Sequence, residues 1–125
     1  MKKLILIVED EHPIVKALEI KLRKSGFDVI KAGNGQEGLD ASLSKHPDLI
    51  LLDILMPVMD GLEMLRKLRT DLWGSTVPVF ILTNYSDDEK TEEAAIEGAY
   101  LYMIKADWHI ADIVKKVKET LGVPK

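Results

Sequence analysis

Apolar side chains recur in five short runs along the chain, and polar residues collect between them. The runs are Leu4–Val8, Phe27–Lys31, Leu49–Leu52, Val77–Leu82 and Tyr100–Ile104. The first, third and fourth are almost wholly apolar, which is typical of parallel strands covered on both faces. The second and fifth mix polar or aromatic residues into the run, so the pattern places them nearer the edges of a sheet.

Apolar residues at helical spacing fill the intervals between these runs. The fourth helix is predicted from Asp87 to Ile96, because its acidic start suits a helix N-terminus. Gly26, Gly98 and Gly122 are predicted to end the first, fourth and fifth helices. The other apolar stripes are, in chain order, Ile14, Val15, Leu18 and Leu22; Leu39 and Leu43; Leu62, Leu65, Leu68 and Leu72; and Ile110, Ile113, Val114, Val117 and Leu121.

Strand and helix therefore alternate five times. This alternation predicts an α/β fold with a single doubly wound, five-stranded parallel sheet, right-handed crossovers and five helices on both faces. We expect residues 1–121 to form one domain and residues 122–125 to form a C-terminal tail.

Composition narrows the class of protein without identifying it. The chain has 125 residues, no cysteine and a net charge of −4, with 46% hydrophobic residues. These values fit one globular domain without disulfides or thiolate metal sites, and they argue against a nucleic-acid footprint. No apolar run approaches the roughly 18 residues of a membrane span, and the first run ends in acidic residues, unlike a signal peptide. We expect a cytoplasmic domain that contacts neither nucleic acid nor membrane.

Candidate chemistry follows four of the five strands. Ligands of such sheets bind outside the carboxyl ends of the strands. There the sequence places Glu9, Asp10 and Glu11 after the first strand, Asp53 after the third, Thr83 after the fourth and Lys105 after the fifth.

Carboxylates gathered in one cleft repel each other, and a hard divalent cation resolves the conflict. Ligands that are all oxygen favour Mg²⁺ or Mn²⁺ over zinc. A remaining carboxylate, Asp53, can act as a nucleophile and form an aspartyl phosphate. The ammonium of Lys105 would neutralise phosphoryl charge, and the hydroxyl of Thr83 would hydrogen-bond a phosphoryl oxygen.

This constellation resembles the response-regulator receiver family of two-component signalling, over residues 2–121. Asp53 precedes Thr83 by 30 positions and Lys105 by 52, as in that family. Each motif is weak alone, but four in order, each at a strand end, are specific. They are Val8–Glu11, Leu52–Gly61, Leu82–Thr83 and Gly98–Lys105.

The resemblance implies the flavodoxin-like strand order 2-1-3-4-5. It also implies that Asp53 is the phosphoacceptor and that Thr83 and Tyr102 couple phosphorylation to the shape of the surface. Gly61 is implied as the turn glycine that opens the third helix. The implied ligands of the Mg²⁺ (or Mn²⁺) are Asp10, Asp53, the backbone carbonyl of Leu55 and, through a water, Glu9.

The implied phosphodonor is a sensor histidine kinase or a phosphotransfer protein. The output protein or domain cannot be read from these residues. A receiver catalyses no more than its own phosphorylation and dephosphorylation, so we do not expect an enzyme acting on an external substrate. Leu55 and Tyr85 are bulky residues near the expected entrance, and we therefore expect slow dephosphorylation.

Each of these residues also has a purely structural interpretation. Glu9 and Asp10 suit the start of a helix, and Thr83 suits a turn. Tyr102 and Trp108 suit local packing. The methionines at positions 56, 59, 64 and 103 are predicted to be packing residues, and the histidines at 12, 46 and 109 lack ligand spacing. The convergence of the acidic groups on Asp53 favours the functional interpretation.

Two other functions compete with a phosphorylation switch. A phosphohydrolase of the haloacid-dehalogenase type places a second aspartate two positions after its nucleophile as general acid and base, and here that position is Leu55. A degenerate receiver that only binds partners would lack the acceptor, the acidic pair or the lysine, and all are present.

The chain departs from the receiver family after Lys105, where the family usually has a proline preceded by a cis peptide bond. Here Ala106 follows, and a cis bond before a non-proline residue costs on the order of 3 kcal/mol. We therefore expect a trans bond and a re-routed loop. Asp107 or His109 should lie near the start of the last helix, with Trp108 covering the join and Lys105 still within reach of Asp53.

Overall fold

Strands and helices alternate along the whole described chain. The computed structural model describes residues 2–84 and 88–123. The strands are β1 (Leu4–Val8), β2 (Asp28–Ala32), β3 (Leu49–Leu52), β4 (Val79–Thr83) and β5 (Leu101–Ile104). The helices are α1 (His12–Lys24), α2 (Gly35–Lys45), α3 (Gly61–Arg69), α4 (Asp88–Ile96) and α5 (Ile110–Leu121), with a short 3₁₀ turn over Lys105–Asp107.

The five strands form one parallel sheet in the order β2-β1-β3-β4-β5. The predicted fold class and strand order are therefore confirmed. The two more polar runs became the edge strands β2 and β5, as their composition predicted. The apolar runs β1, β3 and β4 occupy the centre, where both faces are covered by helices.

Alternate side chains of each central strand feed two separate cores. Leu6 and Val8 pack on one face beneath α2, α3 and α4, whereas Ile5 and Ile7 pack on the other face beneath α1 and α5. The strands β3 and β4 are buried along their full length. This two-sided burial fixes the strand register and so fixes where each strand ends.

Several strand boundaries differ by one or two residues from the sequence prediction, and the starts of β4 and β2 show why. The strand β4 begins at Val79 rather than Val77, since Pro78 has no N–H to donate to the ladder. The strand β2 begins at Asp28, because the N–H of Phe27 is bonded to the carbonyl of Leu22 at the end of α1 (3.1 Å).

The sequence pattern predicted Leu72 as the last apolar residue of the third helix, and this prediction was wrong. The helix α3 ends at Arg69, and Leu72 is 94% exposed. Polar side chains end the helix: the Thr70 hydroxyl donates to the carbonyl of Lys67, and the carboxylate of Asp71 accepts from the N–H of Gly74. Such local bonds compete with helical ones.

The glycines predicted to end helices do so. Gly26, Gly98 and Gly122 adopt φ values of +95°, +81° and +67°, a region that favours glycine. The predicted helix start at Asp87 lies outside the described residues, and α4 is described from Asp88. No helix among the described residues is both long and apolar enough to cross a membrane.

Candidate functional site

The candidate site lies at the carboxyl edge of the three central strands and β5. Glu9 directly follows β1, Asp53 directly follows β3, Thr83 is the last residue of β4, and Lys105 directly follows β5. Because the strands are parallel, these four positions meet at one edge of the sheet. The strand register thus positions side chains that lie far apart in the sequence.

Three carboxylates converge at this edge. One carboxylate oxygen from each of Glu9, Asp10 and Asp53 lies within 4.8 Å of the other two. Glu9 and Asp53 are each 5% exposed, whereas Asp10 is exposed to solvent. The cluster therefore has two buried members and one member that faces the entrance.

Lys105 is the cation that the structure places among these carboxylates. Its Nζ lies 2.7 Å from Oε1 of Glu9, 3.4 Å from Oδ2 of Asp53 and 3.5 Å from Oε1 of Glu11. The sequence predicted the approach to Asp53. It did not predict that Glu9 would be the nearer partner, because spacing along the chain carries no information on side-chain pairing.

The buried charges shift each other's protonation equilibria. Burial raises the pKa of the Glu9 carboxyl from 4.5 to about 7; the hydrogen bond from Lys105 opposes this rise, and the charge of Asp53 adds to it. Burial lowers the pKa of the Lys105 ammonium, but the hydrogen bond to Glu9 and the charge of Asp53 outweigh it, so the net change is upward. The cluster therefore holds more negative charge than one ammonium comfortably neutralises.

One buried oxygen of the cluster lacks a partner within the described part of the chain. Oδ1 of Asp53 is buried and accepts no hydrogen bond there. A buried carboxylate oxygen in that state costs on the order of 1–3 kcal/mol or more. An oxygen-seeking divalent cation at the three converging carboxylates would remove that deficit, so the donor set fits Mg²⁺ or Mn²⁺.

A fourth acidic residue, Glu11, connects three loops around the site. The carboxylate of Glu11 accepts from Lys105 and from Nδ2 of Asn84, each at 3.5 Å. Its backbone N–H donates to Oε2 of Glu9 (3.2 Å). Sequence reasoning placed Glu11 in the acidic cluster but missed Asn84, the residue that follows β4.

The loop between β3 and α3 fits tightly beneath Asp53. The backbone N–H of Gly61 donates to the carbonyl of Ile54 (2.9 Å), and a Cβ at position 61 would collide with the carbonyl of Asp53. Gly61 opens α3, as predicted.

Two other residues of this loop stand out. Val58 holds a φ of +70°, which is unusual for a β-branched residue. Leu55 is 51% exposed at the rim of the site.

Thr83 and Tyr102 lie on the same side of the sheet. Thr83 is fully buried at the end of β4, and it pairs in register with Ile104. Tyr102, two residues earlier on β5, is half-buried and packs against the core beneath α2, α3 and α4. Their proposed coupling stays a prediction, and Tyr85 lies outside the described residues.

The segment after Lys105 follows the predicted route. No described peptide bond is cis, and Lys105–Asp107 forms a 3₁₀ turn. His109 occupies the N-cap position of α5, and Trp108 packs half-buried against the core beneath α1 and α5. Lys105 still reaches Asp53 without the proline that the receiver family has after this lysine.

The structural interpretation holds for the methionines and for one histidine. Met59, Met64 and Met103 are buried, and Met56 packs against the core. The ring of His46 stacks on Trp73, with centroids 4.2 Å apart. The sequence pattern did not predict this stack.

Comparisons of the sequence and of the structure with known proteins indicate the same family. A sequence profile of the response regulator receiver domain matches residues 5–118. The alkaline phosphatase synthesis transcriptional regulatory protein PhoP of Bacillus subtilis is 41% identical over 106 residues, covering 84% of this chain and 43% of that protein. The response regulator ArlR of Staphylococcus aureus is 35% identical over 117 residues, covering 94% of this chain and 52% of that protein.

The chain thus spans about half the length of the curated relatives it matches.

Solved structures agree with the sequence matches. A CheY-like response regulator receiver domain protein from Methanospirillum hungatei JF-1 is 30% identical with a TM-score of 0.91, covering 98% of this chain and 95% of that one. The phosphorylated cyanobacterial phytochrome response regulator RcpA is 26% identical with a TM-score of 0.85, covering 95% and 93%.

Proposed function

The chain belongs to the response regulator receiver domain family, and from that premise we propose that it takes a phosphoryl group on Asp53 and thereby changes a partner-binding surface. The observation that supports this best is the state of Asp53. Its carboxylate is buried at the carboxyl edge of the sheet, one oxygen lacks a partner in the described chain, and the other lies 3.4 Å from the ammonium of Lys105.

In the proposed reaction, a carboxylate oxygen of Asp53 attacks the phosphorus of a phosphodonor. The new O–P bond forms as the bond to the leaving group breaks, and the leaving group departs with the electron pair of that bond. Hydrolysis of the resulting acyl phosphate by water returns the carboxylate and releases phosphate. Lys105 faces both Glu9 and Asp53, so its ammonium can neutralise charge on the incoming group without a large backbone movement.

The proposed metal ligands are Glu9, Asp10, Asp53 and the backbone carbonyl of Leu55. A bound Mg²⁺ or Mn²⁺ would supply positive charge for the phosphoryl oxygens. Asp10 is exposed and paired with no described cation, whereas Glu9 is already held by Lys105 at 2.7 Å. This difference supports Asp10 as a direct ligand and Glu9 as a ligand that acts through water.

The proposed switch residues are Thr83 and Tyr102. A phosphoryl group on Asp53 adds roughly −1.5 to −2 charge and new acceptor oxygens. Thr83 ends the strand beside β3 and can move its hydroxyl toward those oxygens. The space that it leaves would let Tyr102 turn inward and change the surface of α4, β5 and α5.

We further propose a sensor histidine kinase or a phosphotransfer protein as the phosphodonor, in the cytoplasm. Two-component signalling is the setting of this family. One relative is described as a transcriptional regulatory protein, and one structural neighbour is the receiver domain of a histidine kinase from Syntrophus aciditrophicus.

The competing phosphohydrolase lacks support at one position. Such an enzyme needs a proton-transferring carboxyl group two residues after its nucleophile, and here Leu55 stands there, half exposed at the rim. The acceptor, the acidic pair and the lysine all converge, which argues against a degenerate binding module.

The test is phosphorylation by a small phosphodonor. Wild type and Asp53→Asn are incubated with acetyl phosphate, with Mg²⁺ or with a chelator, and the modified residue is mapped by mass spectrometry. We expect one phosphoryl group on Asp53 of the wild type in the presence of the metal. Labelling that survives Asp53→Asn, or that is equal with chelator, would contradict the proposal. Absence of any labelling would favour the binding module.

A further inference from the structure

Arg69, the last residue of α3, joins two distant segments of the chain. Its guanidinium donates to the carbonyls of Glu97 (3.1 Å) and Gly98 (2.7 Å), which lie just beyond α4. It also donates to the carbonyls of Gly74 and Val77 in the loop before β4, each at 2.8 Å. One side chain thus holds four backbone carbonyls from two segments.

Arginine suits this position for reasons that lysine does not share. Its planar fork presents five donors in fixed directions, whereas lysine offers three donors on one nitrogen. Burial lowers the pKa of the Arg69 guanidinium, and the charge of Glu97 opposes that fall. Since arginine titrates so far above neutrality, the group stays cationic, and a cation is favourable beside the carbonyl end of a helix.

Most of the described α4 side chains are exposed or half-buried. Of the α4 side chains that the structure describes, Ala94 is buried, and Ile96 is 82% exposed. The C-terminal turn is closed by the N–H of Gly98 on Ala95 and by the N–H of Ala99 on Ala94. Both the buried contact and the Arg69 bonds therefore lie toward the C-terminal end of this helix. The N-terminal end of α4, at Asp88, follows Thr83, the last residue of β4, after four residues.

We propose that Arg69 is a positioning residue that makes the C-terminal end of α4 a fixed pivot. A change at Thr83 then tilts the N-terminal half of α4 and leaves its C-terminal turn in place. This inference rests on the proposed phosphorylation switch, because the tilt requires a signal from Asp53. The role belongs to the guanidinium fork and its four carbonyls, not to positive charge alone.

The test compares Arg69→Lys with Arg66→Lys by amide hydrogen exchange. Arg66 is a matched control on the same helix: its side chain is exposed and, within the described part of the chain, forms an ion pair with Glu93 at 4.0 Å. Each protein is measured with and without beryllofluoride and Mg²⁺, which together mimic the phosphoryl group. The amides of Gly98 and Ala99 report the C-terminal turn, and those of residues 92 and 93 report the helix before it.

In wild type and Arg66→Lys, we expect the mimic to change the amide exchange rates of residues 92 and 93. The exchange rates of Gly98 and Ala99 should change by no more than about twofold. In Arg69→Lys, Gly98 and Ala99 should exchange on the order of tenfold faster even without the mimic. In this variant the mimic should also change the exchange rates of Gly98 and Ala99. Phosphorylation of Asp53 should proceed at a rate within about twofold of wild type, since Arg69 lies at the end of α3 opposite to the end that contacts Asp53.

The pivot would be overturned if, in wild type, the mimic changed the exchange rates of Gly98 and Ala99 as much as those of residues 92 and 93. This measurement needs no variant. Identical profiles for Arg69→Lys and Arg66→Lys would overturn the role of the guanidinium. If wild type takes no phosphoryl group on Asp53, the proposed function fails separately. The basal exchange of the two variants would then still decide whether Arg69 anchors the helix end.

Discussion

At the scale of single residues, one ammonium group faces three carboxylates. Lys105 lies within 3.5 Å of Glu9, Asp53 and Glu11, and its side chain is only 8% exposed. Asp10 adds a further carboxylate at the entrance. This excess of negative charge explains why the site should bind a divalent cation, and why the members of the cluster should not contribute equally.

We expect Asp10→Ala to weaken Mg²⁺ binding more than Glu9→Ala. Loss of a water-mediated ligand typically costs about 10–100-fold in metal affinity, and loss of a direct anionic ligand costs more. The measurement is a Mg²⁺ titration followed by the fluorescence of the two tryptophans or by NMR. Asp40→Ala, which removes an exposed carboxylate on α2, should leave the affinity unchanged. Equal losses in the two site variants would contradict the ranking.

The raised pKa of Glu9 predicts how stability depends on pH without metal. Between about pH 4.5 and 7 the folded protein keeps a proton on Glu9 that the unfolded chain releases. Stability contributed by this group is therefore full below that window and falls as pH rises through it.

Urea unfolding of wild type and Glu9→Gln, at several pH values with a chelator present, measures this effect. The glutamine variant stays neutral, so the wild type should lose stability relative to it as pH rises from about 4.5 to 7. A constant difference between the two proteins across that range would show that Glu9 titrates normally.

The sequence predicted most of these residues because strand ends can be read from apolar runs. Glu9, Asp53, Thr83 and Lys105 each follow or end such a run, and parallel pairing brings them to one edge. It could not predict that Lys105 pairs more closely with Glu9 than with Asp53, since that choice depends on rotamers and burial. Their roles in phosphoryl transfer stay predictions.

At the scale of elements, α3 is the structural support of the site. Its first residue, Gly61, lies against the carbonyl of Asp53, and its N-cap residue Asp60 accepts from the N–H of Glu63 (2.9 Å). Its last residue, Arg69, holds the turn beyond α4. Helix α3 thus connects the acceptor loop to the end of α4.

We expect Gly61→Ala to destabilise the protein by about 1–3 kcal/mol, because the added methyl group must displace the backbone beneath Asp53. Gly33→Ala is the matched control, since a Cβ there meets nothing within 4 Å. Thermal and urea unfolding of both variants measure the difference. Comparable stability of the two would mean that the loop under Asp53 yields easily.

Element boundaries were predictable where apolar pattern and turn residues agree, as in β1, β3 and α5. The prediction was wrong for Leu72, because side-chain bonds of Thr70 and Asp71 end α3 before the apolar spacing does. The role of Arg69 was not predictable either. Two of the carbonyls that it holds lie 28 and 29 positions away, beyond any local pattern.

At the scale of the whole molecule, the acidic site lies at the carboxyl edge of the sheet, and the surface that should respond to it is formed by α4, β5 and α5. Thr83 ends the strand beside β3, and Tyr102 packs on the same side of the sheet. A ligand can shift the protein between states only by its different affinity for them. The coupling must therefore pass through contacts that phosphorylation changes.

We expect Thr83→Ala to accept a phosphoryl group on Asp53 and to lose the change at Tyr102. Thr83→Ser keeps the hydroxyl and should retain the change, which separates hydrogen bonding from packing. NMR spectra of the Tyr102 ring, recorded with and without beryllofluoride and Mg²⁺, measure the coupling. A ring that responds equally in Thr83→Ala and wild type would exclude Thr83 from the path.

The most direct test of the central claim is a crystal structure with Mg²⁺ and beryllofluoride. We predict that the beryllium atom is bonded to a carboxylate oxygen of Asp53 and that the metal lies beside Asp10, Asp53 and the carbonyl of Leu55. We also predict that Nζ of Lys105, which lies 2.7 Å from Glu9 here, turns to a fluorine. A mimic bound at another residue, or Lys105 directed away from Asp53, would contradict the account.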